Sequence, residues 1–135
     1  MYLIVCLDDN NGMQFHNRRQ SRDRVVLEKI LDMTEGGKLW MSADSARLFA
    51  GREAPQIQVA EDGLSVAGAG EYLFWEDGPV GMYQDRIERV YVFRWNRVYP
   101  ADLHFDFMLP RENLKYQEDF SGFSHDKITL EVYEK

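Results

Sequence analysis

The chain has one cysteine, Cys6, so no disulfide can form within it. Cys6 lies inside the apolar run Tyr2-Leu3-Ile4-Val5-Cys6-Leu7, where a buried structural thiol is expected rather than a reactive one. Histidine is scarce: His16, His104 and His125 are scattered without the spacing of a zinc site, and no metal is expected. No apolar run approaches the roughly 18 residues that cross a bilayer, and no basic stretch precedes an apolar one at the amino terminus. The expectation is a cytoplasmic protein without a membrane partner. Positive charge is also short: 16 Lys and Arg stand against 23 Asp and Glu, a formal net charge of -7. A phosphate backbone repels such a surface unless the basic groups cluster, so general nucleic-acid binding is not expected. There is no Gly-x-Ser-x-Gly elbow and no Gly-x-x-x-x-Gly-Lys-Ser loop. Ser124-His125-Asp126 has three suggestive residues in a row, but consecutive side chains point apart, and the triplet reads as a turn.

What is present is globular. Apolar residues make up 44% and charged ones 29%, with eight Phe, seven Tyr and three Trp, and 135 residues suit a single domain spanning 1–135. No repeat, low-complexity tract or linker interrupts it. Residues 2–7 are apolar on both faces and stop at Asp8-Asp9-Asn10-Asn11-Gly12, the pattern of a buried central strand that leaves the core through a turn. From Ser21, read as an N-cap, the period changes. Val26, Leu27, Ile30, Leu31 and Met33 share a helical stripe that ends at Gly36-Gly37. Lys38 to Met41 reads as a strand, Ser42 as a cap, and the residues up to Gly51 as a helix. Further strands are expected at residues 57–60, 72–75 and 89–95, with about two helical turns between Val80 and Ile87. Residues 61–70 fit either a short helix or a loop. Leu103, Phe105 and Phe107 alternate with polar neighbours, as do Ile128, Leu130 and Val132, which predicts two half-buried antiparallel strands at one edge of the sheet. Strand-helix alternation of this kind implies right-handed crossovers and a mostly parallel sheet covered by helices.

The carboxyl-terminal segments carry a resemblance. Ile87-Glu88-Arg89-Val90-Tyr91-Val92, then Asp102 to Phe107, Leu114-Lys115, and Lys127-Ile128-Thr129-Leu130-Glu131-Val132-Tyr133-Glu134 resemble the tail of dihydrofolate reductases. At the front, Leu3-Ile4-Val5 followed by Asn11-Gly12-Met13 is similar to that family's first strand and the loop folded over its active site. The resemblance implies a three-layer α/β domain, with a mostly parallel central sheet, antiparallel carboxyl-terminal edge strands and helices on both faces. The chain is shorter than a usual member, and the shortfall falls at residues 52–70. Asp23 takes the place of the family's catalytic carboxylate, in the first turn of a helix. Shielded in a cleft, it would have a raised pKa and pass a proton through water. The helix dipole alone also favours an Asp there.

The family's cofactor residues are mostly replaced. The Gly-Gly turn that approaches the nicotinamide reads Glu76-Asp77-Gly78-Pro79, leaving Gly78. The phosphate-holding Gly-Arg-x-Thr segment reads Ser42-Ala43-Asp44-Ser45, leaving the hydroxyl of Ser45. Two carboxylates beside the turn tell against NADPH in the usual pose. On the substrate side, the folate-gripping Arg belongs near Gln56, and Phe93 replaces the Thr that pairs with the catalytic carboxylate.

Two segments point to something else. Residues 18–24 hold Arg18, Arg19, Arg22 and Arg24, immediately before a helix start, where arginine forks and free amides attract anions. Arg94-Trp95-Asn96-Arg97 follows a strand, where α/β folds bind ligands at the carboxyl edge of the sheet. Arg18, Arg19, Arg22, Arg94, Trp95 and Arg97 are therefore expected to line a cleft for a small anionic molecule, unless they simply pair with the surplus of acidic side chains. The alternatives are a non-catalytic interaction domain presenting Trp75 and Trp95 to a protein partner, and a divergent NADPH-dependent reductase.

Overall fold

The run Tyr2–Leu7, apolar on both faces, becomes strand β1 near the middle of a seven-stranded sheet in the computed structural model, which describes residues 1–135. β1 passes through a turn into β2 (Gly12–Phe15) and β3 (Arg18–Arg19), and helix α1 follows at Arg24–Thr34. Next come β4 (Leu39–Met41), the short helix α2 (Ala43–Ala46) continued by a tighter turn at Arg47–Phe49, β5 (Ile57–Val59), helix α3 (Gly63–Val66) and β6 (Tyr72–Phe74). A 3₁₀ segment at Gly81–Arg86 leads to β7 (Arg89–Arg94), β8 (Leu103–His104), β9 (Leu114–Phe120) and β10 (Ile128–Glu134).

The sheet runs in the order β5-β4-β6-β1-β7-β10-β9. Its first five strands are parallel, and β10 and β9 close it antiparallel. The chain is thus an α/β protein with a mostly parallel mixed sheet. Alternation along β1 and β7 divides the core. Ile4, Tyr91 and Phe93 face Val26, Leu27 and Ile30 of α1, together with Leu48 and Phe49. Leu3, Val5, Leu7, Val90 and Val92 face Leu64 of α3, Val80, Ile87 and Phe105. Helical segments therefore cover both faces. β1 and β7 carry continuous apolar runs because each packs against both layers.

Several expectations are corrected. Asp23, not Ser21, caps α1: its backbone is extended (φ -152°, ψ 130°) and its carboxylate accepts the Val25 amide hydrogen. Asp23 consequently precedes the first helical turn instead of lying within it. Only Leu103–His104 of the expected 103–107 strand is extended, and it pairs with β2 in a separate small sheet of order β3-β2-β8. The true edge strand is β9, whose sequence Leu-Lys-Tyr-Gln-Glu-Asp-Phe has too little apolar alternation to announce it. β10 accordingly lies one place in from the edge, and Ile128 to Tyr133 are buried throughout rather than half-buried.

Candidate functional site

The carboxyl ends of β1 and β7 lie side by side, and the loops leaving them are tied together by one buried carboxylate. Asp8 accepts from the amides of Asn10 and Gly12 at 2.8 Å each, from Gln20 Nε2 at 3.0 Å and from the Tyr99 amide at 3.1 Å. Burial works to raise its pKa, but these hydrogen bonds outweigh it and hold Asp8 below the usual carboxylate value. The β1–β2 turn, the segment before α1 and the loop after β7 are thereby fixed to one another.

A second buried carboxylate, Asp23, fixes the loop between β9 and β10. It accepts from the amides of Phe123 and Ser124, each at 2.9 Å, and from His125 Nδ1 at 2.8 Å, besides capping α1 at 2.9 Å. Gly122 is the residue that lets this loop close, since a Cβ there would stand 2.6 Å from Asp23 Oδ2 and 2.8 Å from Ile128. Burial again works to raise the pKa, and the hydrogen bonds from Phe123, His125, Ser124 and Val25 again win, holding Asp23 well below the carboxylate range. The raised pKa expected for a proton-delivering Asp23 is therefore reversed. Every group around it donates, so Asp23 stays ionised.

His125 is itself buried. Its Nε2 lies 2.9 Å from Ser21 Oγ and 3.5 Å from Tyr99 Oη, while the Trp95 indole stacks on the ring at a centroid distance of 4.7 Å and 25°. Ser21, His125 and Asp23 thus form a continuous hydrogen-bonded line. Asn96, with φ 60°, turns the chain immediately after Trp95, and its side chain bonds Thr129 Oγ1 at 3.0 Å. Beside this line, at the carboxyl ends of β1 and β7, opens a depression of about 550 Å³ lined by Asp9, Trp95, Asn96, Arg97, His125, Asp126 and Lys127.

The arginines nominated by the sequence are not gathered in one place. Arg19 reaches away from the depression, with Nε 2.9 Å and Nη2 3.0 Å from Glu76 and Nη2 3.0 Å from Asp44. Glu76 also accepts the Ser45 hydroxyl at 2.6 Å. A closed Arg19-Glu76-Ser45 network therefore occupies the carboxyl ends of β4 and β6, and burial followed by the Glu76 charge pushes the nearby Cys6 thiol well above its usual pKa. Arg94 is bound to Glu131 at 3.0 Å and to the Asp8 carbonyl at 3.2 Å. Asp23 and Arg94 are each committed to other partners. Arg18, Arg22 and Arg97 are exposed and form no ion pair within the chain, and of these only Arg97 lines the depression.

The remaining candidates have structural reasons for their identity. Gly78 has φ +90°, and a Cβ there would come within 2.7 Å of Leu103. Trp95 is 3% exposed and presents no free aromatic face, whereas Trp75 is half-buried with its indole N–H donated to the Gly78 carbonyl at 2.8 Å. His125 and Ser21 are the residues that sequence reasoning missed as partners. Nothing in their spacing, 104 positions apart, signals the contact. No three His, Cys, Asp or Glu side chains converge as metal ligands. Set against known proteins, the chain matches no family model and no curated protein.

Proposed function

We propose that the chain is a shortened dihydrofolate-reductase-like domain that binds a small anionic ligand at the carboxyl edge of its sheet. The architecture supports the scaffold part of this reading: a parallel sheet built by strand-helix alternation ends in two antiparallel strands, and Asp23 stands at the start of the helix after the first-strand loop. The ligand part rests on one observation. The depression at the ends of β1 and β7 carries Arg97 and Lys127 on its rim, Arg97 without an ionic partner, over a floor of His125 and Trp95. Open α/β sheets bind ligands at such carboxyl ends, and an unpaired guanidinium there selects for negative charge. Asp9 and Asp126 on the same rim favour a compact anion over an extended polyanion.

The residues do not fit NADPH. Where the family would hold cofactor phosphate, Ser45 and Arg19 are spent on Glu76, and the Glu76 carboxylate would face the incoming phosphates. The reductase reading loses its footing there. The interaction-domain reading has less support at Trp95, which is 3% exposed, and is left with a half-buried Trp75.

Thermal shift measurements with inorganic phosphate, a mononucleotide and a pterin carboxylate test the proposal. At least one should raise the melting temperature by about 5–10 °C, since ligand at about 100 times its Kd adds roughly 2.7 kcal/mol. The shift should vanish in Arg97→Ala and persist in Arg18→Ala. Absence of a shift with all three anions refutes the ligand site.

A further inference from the structure

We infer that Ser21, His125 and Asp23 form an acyl-transfer site in which Ser21 is the nucleophile. The inference goes beyond anion binding and does not depend on it. Asp23 Oδ2 lies 2.8 Å from His125 Nδ1, and Ser21 Oγ lies 2.9 Å from Nε2, at the opposite corner of the ring. Asp23 receives the Val25, Phe123 and Ser124 amides as well, so it acts as an ionised acceptor, and the shared proton resides on Nδ1. Nε2 then offers its lone pair to the Ser21 hydroxyl, which is the tautomer a general base requires. Trp95, stacked on one face of the imidazole, and the Asp23 bond together fix the plane of the ring. Ser21 is half-buried, and its own amide and that of Arg22 donate to no group of the protein. The amide following a nucleophile is a recurrent donor to the oxyanion of acyl transfer.

The residues come together through two features that have structural uses of their own. Capping of α1 fixes Asp23, which follows Ser21 by two residues, and the tight Gly122–His125 loop delivers the imidazole between them. Loop fixation alone is met by the two amide bonds from Phe123 and Ser124 to Asp23. It does not require a histidine, nor a hydroxyl on the far ring nitrogen.

The chemistry of a serine activated by a neutral imidazole suits a carboxylic ester as substrate class. Ser21 Oγ bonds to the carbonyl carbon while its proton passes to His125 Nε2 and negative charge gathers on the carbonyl oxygen. The carbonyl re-forms as the ester C–O bond breaks, and the departing alkoxide takes the proton from Nε2, leaving acyl-Ser21. Water then adds to the acyl carbon, giving its proton to Nε2. Collapse expels Ser21 Oγ, which recovers the proton, and the acid is released. Ester and water become acid and alcohol, with no redox change. Ser21 and His125 are the catalytic residues, and Asp23 is a positioning residue acting through His125.

The test uses the full-length protein and a neutral alkyl fluorophosphonate, whose phosphorus bonds Ser21 Oγ with loss of fluoride, so that the outcome is independent of anion binding. A single adduct on Ser21, located by peptide mass spectrometry, is expected. Its rate should rise with pH along one titration curve to a plateau, as required by a neutral imidazole. His125→Gln should slow labelling by about 10²-fold or more, the scale of general-base catalysis. Asp23→Asn keeps the side-chain shape but can donate its amide to Nδ1, which places the ring proton on Nε2 and should lower the plateau, and circular dichroism of each variant confirms that it is folded. Ser21→Ala, which removes one partly exposed hydroxyl, provides the folded control and should abolish the adduct. No adduct on Ser21 in the folded wild type, or a rate unchanged in folded His125→Gln, overturns the inference.

Discussion

At Asp23 one carboxylate joins the start of a helix to a loop 100 positions away in sequence. Replacing it with Ala would strand the amides of Val25, Phe123 and Ser124 and free the His125 ring. Unmet buried donors cost about 1–3 kcal/mol each when water cannot reach them, and a lost cap costs about 1 kcal/mol. Partial access of water makes the sum smaller than the parts, and Asp23→Ala is expected to lower stability by about 3 kcal/mol in urea denaturation. The pH dependence follows from the lowered pKa. An unfolded Asp titrates at about 3.9, so the Asp23 contribution is fully present above about pH 5 and is lost as pH falls through the unfolded pKa toward the lower folded one. Urea midpoints measured between pH 6 and pH 3 should therefore drop in the wild type, and the drop should be shallower in Asp23→Asn. Asp8, held low by the same kind of bonding, contributes with the same sign in both proteins.

Among the elements, the β2–β3 hairpin shows how local backbone demands and sequence can disagree. Phe15 pairs with Arg18, and the two residues between them, His16 and Asn17, have φ of 49° and 62°. Both central residues at positive φ define a type I′ turn, for which Asn-Gly is the preferred pair. Asn17 suits its place and His16 does not, although stacking of its ring on Phe15 at 3.9 Å offsets part of the strain. The double substitution His16→Asn and Asn17→Gly should raise stability by about 0.5–1 kcal/mol, read from the denaturation midpoint, because it relieves the strained backbone without touching the Arg19 network. β9 shows a different compromise. As an edge strand it carries Lys115, Glu118 and Asp119, charges that oppose pairing with another sheet. Its side-chain ties inward run to β10, where Thr129 donates to Asp119 at 2.7 Å, and to α1, where Lys29 donates to Glu118 at 3.2 Å.

For the whole molecule, stability is concentrated where the two apolar layers meet. β1 and β7 pair over six residues each and are covered on both faces, whereas β5 is a three-residue edge strand with Val59 exposed. Native-state hydrogen exchange should find the slowest amides in β1 and β7 and the fastest strand amides in β5 and β3, in proportion to their burial. Uniform protection across all strands would contradict this division.

Much of the fold was legible in the residues because burial imposes a period. The double-sided run at 2–7, the stripe from Val26 to Ile30 and the apolar strand at 89–95 each had to face a core, and each does. β9 was not legible, since an edge strand buries too little to leave a pattern. The site divides in the same way. The arginines, the acidic surplus and the Glu76-Asp77 pair beside Gly78 depend on composition and order alone, and they stand in the sequence itself. Only tertiary structure decided that Arg19 and Arg94 are consumed by Glu76 and Glu131, and that His125 stands between Ser21 and Asp23. Contacts across about a hundred residues are set by how a sheet closes and a glycine loop folds over it. Local pattern carries no record of such distances.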